Sequence, residues 1–392
     1  IMRLGIYGGT FDPPHKGHST AATAAIQELK LDKLLIIPAA QPPHKKLPAD
    51  EPGADMRFKL TRLAMNDVDK AIVPNIEIAR GGRSYTVDTV QKIAEKYPDA
   101  DLYLLMGTDM LFSFESWKDF RKIMEKTTLA VFSRRDGEYE KLVWFAGEIA
   151  RKYGAEVKVI PNDAVEVSST DLRGLLKLRR GREYLEDSVY GEIIKYRLYG
   201  AKPEFQWLRE KAYAMLKPSR IPHVQGCEME ARFLARRWGE DPDRAGEAAI
   251  LHDVTKKENL DVQLRLCKKY GIIPDNMEQG DTKLLHSITG AAVARYEFGC
   301  DDDICSAIRW HTTGRTGMTL LEKIIYLADY IEPTRDFPGV EELRKISYTD
   351  IDDALEMGFS MSLDEMKREG ITPHVNTFEA LEWIRDIKKD KD

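Results

Sequence analysis

Long apolar runs are missing from this chain, and cysteine is scarce. No stretch of about eighteen uncharged apolar residues occurs, so no membrane span is expected. The run from Ile1-Met2-Arg3 reads at once as a strand and lacks a signal peptide's apolar core and small-residue cleavage site, so a cytoplasmic location is expected. Only four cysteines occur among 392 residues (Cys227, Cys267, Cys300 and Cys305), all in the second half without CxxC spacing. That suits free thiols in a reducing cytosol. Neither half carries a dense basic stripe, which argues against a dedicated nucleic-acid surface. There is no internal repeat and no low-complexity tract. Wholesale disorder is excluded by 43% hydrophobic residues against a net charge of only -6.

The length suits two domains of ordinary size. Charge separates them: residues 1–200 balance at +2 and the remainder at -8. Five of the eight histidines fall in the acidic half, which points to metal chemistry there. In the first half, Arg3–Tyr7, Leu34–Pro38, Ala71–Ile78, Leu102–Met106, Leu129–Phe132 and Val157–Ile160 read as buried strands. Helical stretches over His18–Leu29, Met56–Met65, Thr86–Lys96 and Glu140–Lys152 separate them. This alternation predicts a mainly parallel α/β sheet of Rossmann-like type, with ligands beyond the carboxyl ends of its strands. After Gly200 the apolar spacing turns helical over 224–238, 245–251, 260–270, 284–296, 302–310, 319–331 and 377–387, which predicts an all-α domain. The expected domains are 1–200 and 204–392, joined near Tyr199–Glu204, where Gly200 can stop one helix and Pro203 precede the next.

The first predicted strand runs into Gly8-Gly9-Thr10-Phe11-Asp12-Pro13-Pro14-His15-Lys16-Gly17-His18, and then a helix begins. Paired glycines let backbone amides approach a phosphate, and the helix start offers N–H groups to the same anion. His15 and His18, three apart, share one side of the first turn and can donate to phosphate oxygens as charge builds. Further on, Val167-Ser168-Ser169-Thr170-Asp171-Leu172-Arg173 reads as a strand end entering a helix that Ser169 or Thr170 caps, with Arg173 one turn in.

GGTFDPPHKGH closely resembles the signature of the nucleotidyltransferase superfamily with the HxGH motif, and VSSTDLR resembles its second signature. The resemblance implies transfer of a nucleotidyl group from a nucleoside triphosphate to a phosphate without a covalent intermediate. It assigns ATP to Gly8, Gly9, Thr10, Phe11, His15, His18, Ser168, Ser169, Thr170 and Arg173, with Mg2+ screening the triphosphate. Pro42-Pro43-His44-Lys45, Gly82 to Thr89, Met106-Gly107-Thr108-Asp109 and Phe114-Glu115-Ser116-Trp117 narrow the likeness to bacterial nicotinate-nucleotide adenylyltransferase. In that family Tyr85, Thr86, Asp109 and Trp117 lie around nicotinate mononucleotide, and an aromatic face suits a pyridine ring. Taken alone, Trp117 also reads as core, Asp109 as a helix cap, Tyr85 as packing and His44 as loop. The residues themselves leave nicotinamide mononucleotide, or another phosphate acceptor, open.

The second half holds His223, the doublet His252-Asp253, His286, His311 and Asp329, each within a helical stripe. Ligands drawn from separate helices are a standard way to build a dinuclear site, and the doublet suits two metals with the carboxylate between them. His374 follows Pro373 and reads as a helix start. The order H…HD…H…H…D resembles the HD superfamily of metal-dependent phosphohydrolases. The runs Ala249 to Lys256, Arg309 to Gly314 and Tyr326 to Pro333 resemble the bacterial HD family that cleaves diadenosine tetraphosphate into two ADP. That resemblance implies a metal pair bridged by Asp253, with iron favoured and manganese or cobalt also suited. Asp253 would be catalytic, and Lys256 would reach a phosphate, helped by Arg315 or Arg335. A non-hydrolytic nucleotide sensor, or a different phosphohydrolase, is the alternative. Oligomeric state is left open, a homo-oligomer included.

Overall fold

Leu4 and Ile6 point to one side of the first strand and Tyr7 to the other, and each set joins a separate buried cluster. Apolar surface on both faces is what a central parallel strand requires. The computed structural model describes residues 1–43, 47 and 51–390. His44 and Lys45, in the Pro42–Lys45 motif, lie outside the described residues. The chain divides into two compact units, Ile1–Pro203 and Glu204–Asp392.

The first unit carries β1 (Arg3–Gly9), β2 (Lys33–Pro38), β3 (Ala71–Ile72), β4 (Asp101–Gly107), β5 (Thr128–Phe132) and β6 (Val157–Ile160). All pair in parallel, in the order β3-β2-β1-β4-β5-β6. The chain winds outward from β1 through β2 to β3, then restarts on the other side at β4. The crevice beyond the carboxyl ends of β1 and β4 is therefore the switch point at which such sheets bind ligands. The helix Lys16–Glu28 covers one face with Ala21, Ala22, Ala25 and Ile26. Thr86–Lys96 and Tyr139–Tyr153 cover the other with Val90, Ile93, Leu142, Ala146 and Ile149. Gly5 is dictated by packing: a Cβ there would stand 2.6 Å from Leu34 Cδ1 and 2.7 Å from Leu31 Cδ1.

The strand expected over Ala71–Ile78 is corrected by the structure. Only Ala71 and Ile72 pair with β2, and Ile76–Arg80 is a short helix. Pro74 has no N–H for a ladder, so pairing stops at this sheet edge.

Among the described residues, the second unit contains helices and no strand. Side-chain caps start several of them: Asn259 accepts from the Val262 amide, Asp301 from Ile304 and Thr319 from Glu322. The expected stripes correspond to Ile221–Trp238, Pro242–Leu251, Leu260–Tyr270, Thr282–Phe298, Asp302–Trp310, Leu320–Ile331 and Val375–Lys389. Helices over Phe205–Ala214, Val340–Ser347 and Ile351–Glu369 were not anticipated. The last buries Ile351, Ala354, Leu355, Gly358 and Phe359 in its first half only, so its apolar stripe fades along its length. No helix among the described residues is long and apolar enough to cross a membrane.

Candidate functional site

In the first unit, the turn after β1 is built around two imidazoles. His15 caps the helix Lys16–Glu28: its Nδ1 accepts the Gly17 amide at 3.1 Å, while His18 Nδ1 accepts the His15 amide at 3.0 Å. A backbone N–H can only donate, so each Nδ1 is an acceptor and the neutral ring carries its proton on Nε2. The ring centroids lie 3.9 Å apart. Gly17 is required because a Cβ would stand 2.8 Å from His15 Cε1. Burial, reinforced by the Arg134 guanidinium, lowers the His15 pKa to about 4, so at neutral pH this ring is an uncharged donor.

The loop is fixed from behind. Arg57 donates to the Thr10 carbonyl at 2.9 Å and to Ala40 at 3.0 Å, Arg173 donates to the Asp12 carbonyl at 2.7 Å, and the Tyr199 hydroxyl donates to Asp12 Oδ1 at 2.7 Å. Phe11 is buried edge-on against Tyr7 and His18.

A cavity of about 720 Å³ opens here, and every residue expected at the first site lines it. Gly8, Gly9, Thr10, Phe11, His15 and His18 form one wall, Ser168, Ser169, Thr170 and Arg173 a second, and Tyr85, Thr86, Asp109 and Trp117 a third. Trp117 also packs edge-on against Phe114 at 5.2 Å, so it both lines the cavity and joins the packing behind it. Asp109 makes no cap hydrogen bond; its Oδ1 lies 3.2 Å from Arg134 Nε. One local expectation is corrected: the helix Ser169–Lys177 is capped by Ser168, which accepts from the Asp171 amide, and not by Ser169 or Thr170. Ser169 instead donates to the Pro13 carbonyl at 3.0 Å, tying the two motifs together.

Arg134, Lys118 and Glu77 line the cavity and were missed. Lys118 Nζ sits 4.5 Å over the Tyr85 ring, and Glu77 accepts from Thr89 Oγ1 at 2.6 Å. Arg134 follows the end of β5, where its place beyond a strand's carboxyl end was a usable signal.

The second unit gathers all six expected metal ligands. His223 lies in Ile221–Trp238, His286 in Thr282–Phe298 and Asp329 in Leu320–Ile331. His252-Asp253 and His311 stand just beyond the ends of Pro242–Leu251 and Asp302–Trp310, rather than within those helices. Asp253 is the hub. Its Oδ2 lies 3.8 Å from His223 Nε2 and 3.5 Å from His252 Nε2; its Oδ1 lies 3.3 Å from His286 Nε2 and 3.8 Å from His311 Nε2. Asp329 Oδ1 approaches His223 Nε2 at 3.0 Å.

Here the ring polarity is reversed. His252 Nδ1 lies 2.6 Å from the Ala249 carbonyl and His311 Nδ1 2.6 Å from the Ile308 carbonyl. A carbonyl can only accept, so these nitrogens carry the protons and, in the neutral ring, each Nε2 offers a lone pair inward. His223 Nδ1 is held the same way by Glu332 Oε1 at 3.0 Å. Burial, with His252 and His286 nearby, lowers the His311 pKa to about 3. Burial opposes charge on His252, yet Asp253 and Asp329 outweigh it and raise its pKa, whereas burial lowers the pKa of His286. Among the described residues, buried His252 Nε2, Asp253 Oδ1 and His286 Nδ1 have no hydrogen-bond partner.

Lys256 Nζ lies 3.3 Å from His286 Nε2, and Arg335 donates to Asp329 Oδ1 at 3.0 Å. Arg315 is instead engaged by Glu322 through two hydrogen bonds. Arg220, which was missed, donates to Asp253 Oδ2 at 2.7 Å. His374 caps Val375–Lys389, as its Pro-His start signal predicts.

Residues 6–175 match the cytidylyltransferase-like family and residues 220–334 the HD domain family. A Clostridium tetani protein named "Probable nicotinate-nucleotide adenylyltransferase" is 32% identical over 202 residues, 51% of this chain and 100% of that protein. A Bacillus subtilis protein named "Bis(5'-nucleosyl)-tetraphosphatase, symmetrical" is 38% identical over 181 residues, 45% of this chain and 97% of that protein. The crystal structure of a Clostridium acetobutylicum protein, described as a "predicted HD superfamily hydrolase involved in NAD metabolism", is 36% identical, covering 46% of this chain and 97% of its own, with a TM-score of 0.45. By its first half the chain belongs to the nicotinate-nucleotide adenylyltransferase family, and an HD domain is joined to it in the second half.

Proposed function

We propose that the chain is a bifunctional enzyme. Its first unit joins ATP to nicotinate mononucleotide, giving deamido-NAD and pyrophosphate, and its second hydrolyses diadenosine tetraphosphate to two ADP. The observation that carries this reading is the opposite polarity of the two histidine sets, donors in one site and lone pairs in the other.

In the first unit, a phosphate oxygen of the mononucleotide attacks the α-phosphorus of ATP. The new P–O bond forms as the bond to the bridging oxygen of the β-phosphate breaks, and pyrophosphate leaves with that oxygen. The triphosphate is read as its Mg2+ complex, in which the ion is held mostly by substrate oxygens and water. His15 and His18 present Nε2–H groups to phosphate oxygens, and amides at Gly8 and Gly9 with the helix start add further donors. A neutral His15 donates without giving up a proton, which suits a transfer that needs no acid. Ser168, Ser169, Thr170 and Arg173 line the triphosphate side. Tyr85, Thr86, Asp109 and Trp117 surround the pyridine nucleotide, with Trp117 against the ring.

In the second unit the donor set fits divalent cations, because inward lone pairs and an unpartnered buried carboxylate oxygen otherwise go unsatisfied. His223, His252, Asp253 Oδ2 and Asp329 would hold one cation, and Asp253 Oδ1, His286 and His311 the other. Mixed nitrogen and oxygen donors suit iron, manganese or cobalt, with iron favoured by the family resemblance. Such a pair supplies charge neutralisation for phosphate oxygens and a more acidic water. Glu332 fixes the His223 ring, and Lys256 and Arg335 stand at the rim to take up phosphate charge.

Product analysis of purified protein tests both halves. Two ADP are expected from diadenosine tetraphosphate; AMP plus ATP, or no turnover, contradicts the hydrolase. Faster turnover with the nicotinamide than with the nicotinate mononucleotide contradicts the acceptor.

A further inference from the structure

Cys227 lies four residues beyond His223 on the helix Ile221–Trp238, one turn along the same face. The side chain is buried, and its Sγ stands 3.3 Å from His223 Nε2, the ring nitrogen left as an inward lone pair by the Glu332 contact. Donor atoms of His223, Cys227, His252 and Asp329 all lie within 4.8 Å of one another. A second observation marks the same place: His252, only 1% exposed, aims into it an Nε2 that has no hydrogen-bond partner among the described residues. A nitrogen and a sulfur on one cation, at bond lengths of about 2.0 and 2.3 Å, are separated by about 3.0 Å at a right angle and about 3.5 Å at the tetrahedral angle. The measured separation falls between those limits.

We infer that Cys227 is a sulfur ligand at the His223–His252–Asp329 position, which makes that position a mixed thiolate, imidazole and carboxylate site, distinct from its sulfur-free neighbour around His286 and His311. The inference rests on the metal-binding reading of the second unit given above. Ligation replaces the S–H bond with a sulfur–metal bond and releases the proton to solvent. A soft donor on one side only gives the two positions different metal preferences: borderline ions such as zinc or cobalt favour the Cys227 position, and harder manganese the other.

Cobalt gives a readout independent of turnover. The full chain is stripped with a chelator and loaded with Co2+ alone, and its absorption is recorded beside Cys227→Val and Cys227→Ser. The expected result is a sulfur-to-cobalt charge-transfer band in the near ultraviolet for the unaltered chain. That band should be lost in both variants, while visible cobalt bands persist. A cobalt-loaded unaltered chain without the band overturns the sulfur ligand and leaves the metal site standing, as does a band that survives either substitution. A chain that takes up no cobalt defeats the metal site and the sulfur ligand together. Cys227→Val removes the donor atom and keeps the position apolar, and the spectrum of the unaltered chain decides the matter even if that variant fails to fold.

Discussion

The two units use the same side chain in opposite senses. At the turn after β1, backbone amides occupy the Nδ1 atoms of His15 and His18, so the rings face outward with N–H groups. In the helical unit, main-chain carbonyls take the Nδ1 protons of His252 and His311, so those rings face inward with lone pairs. One arrangement suits an anion and the other a cation. The polarity of an imidazole is thus set by a backbone group two or three residues away, and not by the histidine's own identity.

The largest effect that can break this contrast is removal of the hub. His252→Ala combined with Asp253→Ala should reduce bound metal to background and lower hydrolysis of diadenosine tetraphosphate by about three orders of magnitude or more. Adenylyl transfer should be unchanged. Equal metal content in the variant and the unaltered chain, by elemental analysis, would defeat the dinuclear assignment.

Next in size is the mirror experiment. His18→Ala should lower kcat for adenylyl transfer by about 100- to 1,000-fold, the range for a lost transition-state donor, with hydrolysis untouched. A steady-state kcat equal to that of the unaltered chain would remove His18 from the mechanism.

The depressed His15 pKa predicts a pH effect on stability. Burial holds the folded ring at about 4 against an ordinary 6.5. Below the ordinary value an unfolded chain takes up a proton that the folded ring refuses. Stability should therefore fall as pH drops from about 6.5 towards about 4, by up to roughly 3 kcal/mol, and level off beneath. His15→Asn keeps a capping oxygen but does not titrate. Urea unfolding at several pH values should show the dependence shrink in that variant; parallel curves would contradict the buried neutral ring.

The smallest expected effect sharpens the contrast at one ring. Glu332→Gln leaves a side chain of equal size, weakens the hold on His223 Nδ1, and should lower metal affinity about 10- to 100-fold by titration with Co2+. Unchanged affinity would mean that the Glu332 contact does not orient the ring.

Much of this was legible in sequence, for identifiable reasons. Thr86–Lys96 and Val157–Ile160 have the expected bounds because their periodicity is clean and loops flank them. Ala71–Ile78 was over-read because apolar residues continue past Pro74, where pairing cannot. The helix Ile351–Glu369 was missed because only its first half is buried. Site residues were readable as motifs, and the cavity gathers every one expected in the first unit. Ring polarity was not, because it depends on which backbone group a folded turn brings to each Nδ1. Arg220 escaped notice as well: it sits 33 positions before Asp253, and no local pattern links the two.

His15 and His311 make the cleanest pair, since burial lowers both pKa values, to about 4 and about 3, and both rings are neutral near pH 7.5. Two-dimensional proton–nitrogen spectra of the histidine rings in metal-free, nitrogen-15-labelled protein report directly which nitrogen bears the proton. The account predicts the proton on Nε2 in His15 and on Nδ1 in His311. The same tautomer in both rings would contradict it.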